Sequence, residues 1–285
     1  ERVHEMLNIL IEFRPDFVLT INLGAMDVGG LFARLLEDLR LPYVTWFVDD
    51  PRTIIMDRTT YASPYAVALT WERAYIPYLM KTGFTVTRYL PLAVDPTVFY
   101  ARPGDEALLP PTFVGNSMVV PAENEWTWVR QRSPELAEGI AHALDSAGVT
   151  RQRFAEGIDS LLPGELLQRL DEDEKRHAEI LFFVDATKRL RREAALAWAN
   201  AGAAIRGDDE WCAVVPHAGA AVNYQHDLPR LYAQCPVNLN ITSVQMATAV
   251  NQRVFDCPAA GGFLLTDAQS DLFELFDVGK EAVCY

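Results

Sequence analysis

The sequence holds few residues of the kinds that bind metals or form disulfides. It has four cysteines and five histidines in 285 residues, with no CxxC pair and no HExxH motif. These spacings argue against a zinc site and against a disulfide scaffold. They favour reduced thiols, as in a cytoplasmic protein, and no metal site is expected.

Basic residues and long apolar runs are also scarce. There are 25 Lys and Arg against 39 Asp and Glu, which gives a formal net charge of −14. A nucleic-acid surface needs surplus cations to neutralise phosphates, so nucleic acid is not expected as a partner. A local basic pocket for a small anion is still possible on this composition. No apolar run approaches the roughly 20 residues of a membrane-spanning helix, so no transmembrane segment is expected.

Three common signatures of α/β enzymes are missing. The sequence has no GxGxxG after its first apolar run, no GxxxxGK[ST] and no GxSxG. Their absence disfavours dinucleotide oxidoreductases, P-loop NTPases and α/β-hydrolases.

What the sequence does contain is an alternation of short apolar runs and amphipathic stretches. In the first hundred residues the apolar runs are 16–22, 42–48, 66–71 and 86–90. After residue 202 the alternation returns, with segments at 203–206, 220–223, 237–241, 263–266 and 282–285. Such alternation predicts parallel sheets. Residues 122–200, between the two parts, have an almost wholly helical pattern.

The chain length predicts about two domains, because about 150 residues typically make one domain. A loop rich in Pro and Gly at 91–111 separates the halves. We therefore predict an α/β protein with two Rossmann-like domains facing a cleft. The first covers 1–100, and the second covers 101–285 with a helical insertion at about 122–200. Open parallel sheets bind ligands beyond the carboxyl ends of their strands, so the loops there are the expected sites.

The most informative segment is 251–267, NQRVFDCPAAGGFLLTD. A helix near 248–257 is predicted to expose Asn251, Arg253 and Asp256 and to bury the two apolar residues Val254 and Phe255. A carboxylate can accept two hydrogen bonds from a ribose diol. The planar guanidinium of arginine can donate paired hydrogen bonds to a diphosphate. The alternative is an ordinary helix–turn–strand with a surface Arg–Asp pair.

This segment, with 238–242 before it and 279–281 after it, resembles the C-terminal part of CgeB-like glycosyltransferases. These form the spore-maturation CgeB family within the GT-B superfamily. Four segments of the first half resemble the family independently: 14–22, 46–51, 90–96 and 113–116. The helical block is the region of weakest similarity.

The resemblance implies a hexosyltransferase-like GT-B enzyme that works without a metal or other cofactor. It would move a sugar from a UDP- or GDP-linked donor to a glycan or protein acceptor. The first domain would serve the acceptor and the second the nucleotide sugar. Because GT-B enzymes are longer than 285 residues, we expect the first domain to be incomplete at its start and the second at its end.

The resemblance also implies a nucleotide-sugar site. Asp256 would bind ribose, Asn251 and Arg253 would face the diphosphate or the sugar, and an aromatic ring would stack on the base. That ring would be Tyr224 or Trp211, although a packed core aromatic is the alternative for both. The remaining residues of the predicted site are Gly115, Asn116, Arg206, Gly207, Asn240, Gly261 and Gly262.

One departure from the family affects the mechanism. Many retaining GT-B enzymes carry two glutamates on this helix, and Thr248 stands at the first position. An inverting enzyme would need a base near the acceptor hydroxyl. Asp49 and Asp50, at the end of an apolar run, are the predicted catalytic residues, with a helix cap and turn as the alternative. Asp27 is a weaker candidate.

Two other functions are compatible with the sequence. A non-catalytic GT-B-like module could bind a sugar nucleotide or a partner protein without turnover, because a fold does not guarantee chemistry. An epimerase of the same fold would need acids or histidines in its cleft, and the few histidines disfavour it.

Overall fold

The computed structural model describes residues 2–56, 58–102, 109–146 and 149–285. The chain forms two compact units, Glu1–Pro91 and Leu92–Tyr285. Each contains one parallel sheet with helices, so the predicted α/β architecture with two Rossmann-like units is confirmed and is consistent with GT-B. Residues 103–108 of the predicted separating loop lie outside the described residues.

The first unit contains a four-stranded parallel sheet in the order β1-β2-β3-β4. Its strands are β1 Val18–Ile21, β2 Tyr43–Phe47, β3 Ala66–Thr70 and β4 Val86–Tyr89. Its helices are α1 Arg2–Phe13, α2 Leu31–Asp38, α3 Pro51–Ile55 and α4 Ile76–Lys81. Each strand coincides with a predicted apolar run. The central strands β2 and β3 are largely buried, as their apolar character predicts, whereas Leu19 and Ile21 of the edge strand β1 are exposed.

The second unit contains a five-stranded parallel sheet in the order β6-β5-β7-β8-β9. Its strands are β5 Thr112–Val114, β6 Ala204–Arg206, β7 Asn238–Leu239, β8 Leu264–Thr266 and β9 Val283–Cys284. The chain passes from β5 to β6 on one side and then continues with β7 on the other. The strand order therefore reverses at β5, and such a switch point is where open parallel sheets bind ligands.

Seven of the helices of the second unit lie between β5 and β8, and one follows β8. They are α5 Val119–Arg132, α6 Pro134–Ser146, α7 Arg151–Ala155, α8 Gly164–Leu167, α9 Glu172–Asn200, α10 Leu228–Gln234, α11 Arg253–Ala259 and α12 Ser270–Leu275. Of the helices described, none has both the length and the apolar character that a bilayer span requires.

The predicted helical insertion is confirmed and has its own core. Leu136, Ile140, Phe154 and Phe182 are buried together with other apolar residues of α5 to α9. The acidic start of α9 forms a capping box, in which the side chains of Asp171 and Glu174 each accept a backbone N–H of the other. This arrangement satisfies the exposed N–H groups of a helix start and explains why a charged run begins the longest helix.

Two local predictions need correction. The helix predicted near 248–257 begins only at Arg253. The segment before it is a buried loop whose carbonyl groups bond to side chains: Gln269 Nε2 donates to the carbonyls of Met246 and Ala249. Residues 220–223 form no strand, because the Asn223 side chain accepts the N–H groups of two following residues and makes a turn.

Candidate functional site

The predicted nucleotide-sugar residues collect at the carboxyl ends of the strands in the second unit. Gly115 follows β5 directly, and its N–H donates to the carbonyl of Arg206 at 2.9 Å. Its carbonyl accepts the indole N–H of Trp211 at 2.7 Å. Trp211 is 1 % exposed, so it is a packed aromatic, and base stacking is not its role.

Close packing explains why three of the predicted glycines are glycine. A Cβ at Gly207 would lie 2.1 Å from the carbonyl oxygen of Gly115, which is a direct clash. A Cβ at Gly115 would meet the Phe113 ring at 2.7 Å, and one at Gly262 would meet the Tyr232 carbonyl at 2.6 Å. The backbone is therefore held in tight protein contacts at these positions. Gly261 has a φ of +87°, which favours glycine for conformational reasons.

Arg253 points toward the turn after β5. Its Nη1 donates to Asn240 Oδ1 at 2.7 Å, and a Cβ at Gly115 would lie 3.5 Å from its Nη2. Its guanidinium also lies over the Phe113 ring, 5.6 Å from the centroid. The hydrogen bond to Asn240 and the contact with the Phe113 ring thus hold the arginine at the carboxyl end of β5.

Asn240, which follows β7, is the anchor of this arrangement. It is fully buried. Its Oδ1 accepts a second hydrogen bond, from Asn251 Nδ2 at 2.9 Å, while its own Nδ2 donates to Thr266 Oγ1 at 2.8 Å. The predicted site residues Asn240, Asn251 and Arg253 therefore form one connected group. Asn251 precedes α11 and does not lie on its exposed face.

Arg191 on α9 is a fourth member that the sequence analysis missed. Its Nη1 donates to the backbone carbonyl of Asn116 at 2.7 Å. Burial, followed by the positive charge of Arg253, lowers the pKa of Arg191 to about 10, and Asp208 acts in the opposite direction. The two guanidiniums therefore approach the same turn and repel each other. Only the fold could reveal Arg191, because a cation in a long charged helix looks like a solvated residue.

Neither arginine is neutralised by a carboxylate. Across the described ranges, with their gaps at 57, 103–108 and 147–148, no Asp or Glu oxygen lies within 4.0 Å of Arg191 or Arg253. The nearby Asp208 carboxylate stabilises the turn instead, because it accepts hydrogen bonds from the N–H and the hydroxyl of Ser117 at 3.0 and 2.9 Å. Neither guanidinium therefore forms an ion pair among the described residues, and the charges of Asp208 and Asp256 act on Arg191 and Arg253 only from longer range.

Asp256 has partners that the sequence did not predict. It is 1 % exposed, where exposure was expected, whereas Phe255 is only half-buried. Its Oδ2 accepts the Tyr224 hydroxyl at 2.6 Å and its Oδ1 accepts Gln252 Nε2 at 2.8 Å. Burial raises the pKa of Asp256, although these hydrogen bonds and Arg253 act to lower it. The first turn of α11 faces the Tyr224 loop, which covers the carboxylate.

Tyr224 and Arg206 keep more exposed surface. Tyr224 is 48 % exposed, and its ring packs edge-on against Phe99 at a centroid distance of 5.0 Å. Burial and the bond to Asp256 raise the pKa of its hydroxyl. The side chain of Arg206 runs along Gly219, where a Cβ would lie 3.1 Å from its Cγ. Arg206 is therefore supported by backbone at the end of β6.

In the first unit the two predicted catalytic carboxylates differ in their contacts. Asp50 is buried and caps α3 by accepting the N–H of Arg52 at 2.9 Å; it also accepts the Arg52 guanidinium at 2.6 Å. Asp49 is exposed, and its Oδ2 accepts Asn22 Nδ2 at 2.7 Å. The helix-cap alternative thus describes Asp50, and Asp49 keeps a carboxylate that solvent can reach.

Asp27 also has a local structural role. Its carboxylate accepts the N–H groups of Leu31 and Phe32, at 3.0 and 2.8 Å, at the start of α2. Desolvation acts to raise the pKa of Asp27, but these backbone hydrogen bonds lower it overall. Among the residues that the structure describes, no group of three His, Cys, Asp or Glu side chains could hold a metal ion.

A family profile described as glycosyl transferase-like matches residues 174–285. The matched region includes Arg191, Arg206, Tyr224, Asn240, Arg253 and Asp256. No match to the chain was found among curated proteins. The C-terminal region is therefore similar to a glycosyl transferase-like family, over residues that include both Arg191 and Arg253.

Proposed function

We propose that the chain is a glycosyltransferase of the CgeB-like type. It transfers a sugar, such as a hexose, from a UDP- or GDP-linked donor to a glycan or protein acceptor. The observation that carries this proposal is the pair of guanidiniums, Arg191 and Arg253, at the end of β5 without a carboxylate partner among the described residues. The glycosyl transferase-like match over the same residues supports it.

A diphosphate suits this pair better than a single negative charge does. Two like charges that repel each other are both stabilised when a dianion lies between them, and guanidinium–phosphate contacts are among the stronger hydrogen bonds. In sugar transfer, negative charge develops on the departing nucleoside diphosphate. In this proposal the fixed positive charges of Arg191 and Arg253 stabilise that charge in the transition state, without a metal ion.

The nucleoside end of the donor is assigned to Asp256 and Tyr224. The half-exposed ring of Tyr224 offers a face for the base, and its hydroxyl now occupies one oxygen of Asp256. We propose that the ribose diol replaces the tyrosine hydroxyl on that carboxylate. Because Asp256 is buried and hydrogen-bonded to Tyr224, the nucleoside can reach its carboxylate only when Tyr224 moves.

Asp49 is the proposed base for the acceptor hydroxyl. Its carboxylate is exposed, and the amide of Asn22, which follows β1, holds one of its oxygens. Asn22 is itself fixed, because its Oδ1 accepts the N–H of Val48 at 2.9 Å. Asp50, which caps α3, has a supporting role in this proposal. The four cysteines are all unpaired, which supports a reducing cytoplasmic location.

A non-catalytic binding module is the second candidate, and one observation favours it. Both oxygens of Asp256 already have hydrogen-bond partners, and Thr248 has no carboxylate to offer a donor sugar. Such a module would bind a sugar nucleotide, or a partner protein, without turnover. Binding of a nucleotide sugar with neither hydrolysis nor transfer would favour this function over catalysis.

Thermal denaturation with UDP and GDP tests the proposed donor site. A ligand at a hundred times its Kd stabilises a protein by about 2.7 kcal/mol, so a clear rise in Tm is expected for one of the two. Arg191→Gln and Arg253→Gln should each weaken binding at least about tenfold, since a charged hydrogen bond contributes about 1.5–3 kcal/mol. Arg192→Gln, an exposed neighbour on α9, is the matched control for lost charge. No shift with either nucleotide, or equal losses in all three variants, would refute the site.

A further inference from the structure

A groove lies in the helical block, and no residue of the β-strands lines it. Three helices, α5, α6 and α9, enclose a volume of about 570 Å³. This is within the range of about 300–1,000 Å³ that small-molecule sites occupy. Its lining is mainly polar and consists of Glu123, Trp126, Thr127, Arg130, Ala141, Asp145, Asp185, Lys188 and Arg189. None of these residues belongs to the donor site proposed above.

The inner side of the groove is rigid. Asp185 is 1 % exposed and accepts hydrogen bonds from Trp126 Nε1 at 3.0 Å, from Arg189 Nε at 2.7 Å and from Lys188 Nζ. Burial acts to raise the pKa of Asp185, but these three donors hold it below its usual value. Because its indole N–H is bound to this carboxylate, Trp126 presents a half-buried ring in a fixed orientation.

Two groups at the outer side are available to a ligand. The Arg130 guanidinium lies over the Trp126 ring, 4.8 Å from the centroid, and it has no hydrogen bond to any residue that the structure describes. The Glu123 carboxylate likewise has no hydrogen-bond partner in the described part of the chain. The two residues lie seven positions apart on α5, so they are two turns, or about 10 Å, apart along the groove.

The chemistry of the lining selects a ligand that is polar and uncharged. Three carboxylates, of Glu123, Asp145 and Asp185, balance three cations, of Arg130, Lys188 and Arg189, so no excess charge attracts an ion. Guanidinium and carboxylate groups both make paired hydrogen bonds, which match neighbouring hydroxyls. The Trp126 ring supplies an apolar face for carbon-bound hydrogens. Arg130 can swing from that face because no hydrogen bond holds it.

We propose that this groove binds a neutral oligosaccharide of at least two sugar residues. The spacing of Glu123 and Arg130 sets the length, since about 10 Å along α5 separates two hydrogen-bonding ends around the Trp126 ring. Lys188 precedes Arg191 by one turn of α9, so the groove and the proposed diphosphate site share a helix.

Binding to an array of neutral and N-acetylated oligosaccharides, without nucleotide, tests the inference. The intact chain should bind at least one oligosaccharide of two or more residues. Glu123→Gln and Arg130→Gln should each weaken that binding about tenfold or more. Glu138→Gln on α6 and Arg192→Gln on α9 remove the same charges from exposed positions outside the groove, and they should bind as the original chain does.

The outcomes distinguish the groove from the proposed donor site. If the chain binds no oligosaccharide, or if both groove variants bind as tightly as their controls, the inference is wrong. If glycans bind as expected but UDP and GDP do not, the groove is supported and the donor site is refuted. Because Glu123 and Arg130 are exposed, their glutamine variants should fold, and circular dichroism verifies this before binding is measured.

Discussion

Arg191 and Arg253 reach the same turn from two different helices, and the positive charge of Arg253 lowers the pKa of Arg191. The two cations repel each other, and no carboxylate lies within 4.0 Å of either one among the described residues. We therefore expect their repulsion to reduce the stability of the protein when no anion is bound. Arrangements of this kind are typical of functional sites, where stability is reduced for the sake of binding. The proposed donor site has this property.

Removing the Arg191 guanidinium should weaken nucleotide binding without lowering the stability of the protein. We expect Arg191→Gln to leave the free energy of unfolding unchanged within about 0.5 kcal/mol or to raise it, because the repulsion with Arg253 disappears. The same variant should lose most of the stabilisation by UDP or GDP. Urea denaturation with and without nucleotide measures both effects. A variant that is strongly destabilised yet still binds nucleotide would contradict the assignment.

The contact of Gly207 with the Gly115 carbonyl should tolerate no side chain. Gly207→Ala places a Cβ 2.1 Å from that oxygen, so we expect a loss of about 3 kcal/mol or more, or failure to fold. Gly164→Ala is the control, because nothing lies within 4 Å of its Cβ position. It should be neutral or stabilising by up to about 1 kcal/mol. Equal effects in urea denaturation would show that the contact is not rigid.

Tyr224→Phe should change stability in a pH-dependent way. Burial raises the pKa of Asp256 in the folded chain, so its contribution is fully present below the unfolded pKa of 3.8 and falls as pH rises through the folded value. Loss of the tyrosine hydroxyl raises the folded pKa further. The destabilisation should therefore be smallest near pH 3 and should grow toward neutral pH. A loss that does not vary with pH would contradict this account.

Asp185→Asn should show the opposite trend. Hydrogen bonds from Lys188, Trp126 and Arg189 outweigh burial and lower the pKa of Asp185, so its contribution is present above pH 3.8 and is lost as pH falls through the folded value. We expect a loss of about 2–3 kcal/mol at pH 7, which shrinks in acid. Chemical denaturation across this pH range measures it. A loss that persists at low pH would point to packing instead of charge.

Substitution of Asp49 should affect catalysis, whereas substitution of Asp50 should affect stability. Asp50→Ala removes a helix cap and the partner of Arg52, so a loss of about 1–2 kcal/mol is expected. Asp49→Ala should leave stability within about 0.5 kcal/mol, because the side chain is exposed. It should also abolish sugar transfer while UDP or GDP binding persists. Full transfer by Asp49→Ala would exclude this residue as the base.

Local patterns in the sequence predicted the four strands of the first unit, each of which is a short apolar run, but the similar segment 220–223 forms no strand. They also brought attention to Arg253 and Asp256, which lie in one segment and carry groups suited to a nucleotide. The loop 242–252 was mistaken in part for helix because its apolar residues are buried at similar spacing. Its backbone groups bond instead to side chains such as Gln269, a long-range relationship that no local pattern contains.

The burial of Asp256 and the role of Arg191 depend on tertiary contacts. Tyr224 and Asp256 are far apart in sequence, so a hydrogen bond between them follows only from the fold. Arg191 lies among other charged residues of α9, and one position along the helix would place its side chain on a different face. Sequence could thus identify the strand end where a ligand would bind, but it could not identify the second cation.

Asn240 gives this site a property that a charged residue could not. Its amide oxygen holds Arg253 and Asn251, while its nitrogen is tied to Thr266, so the arginine is aimed without being neutralised. An aspartate there would aim the guanidinium equally well but would add a negative charge that repels an incoming anion. The neutral amide thus orients the Arg253 guanidinium without pairing it with a negative charge. The positive charge of Arg253 therefore remains available to the ligand.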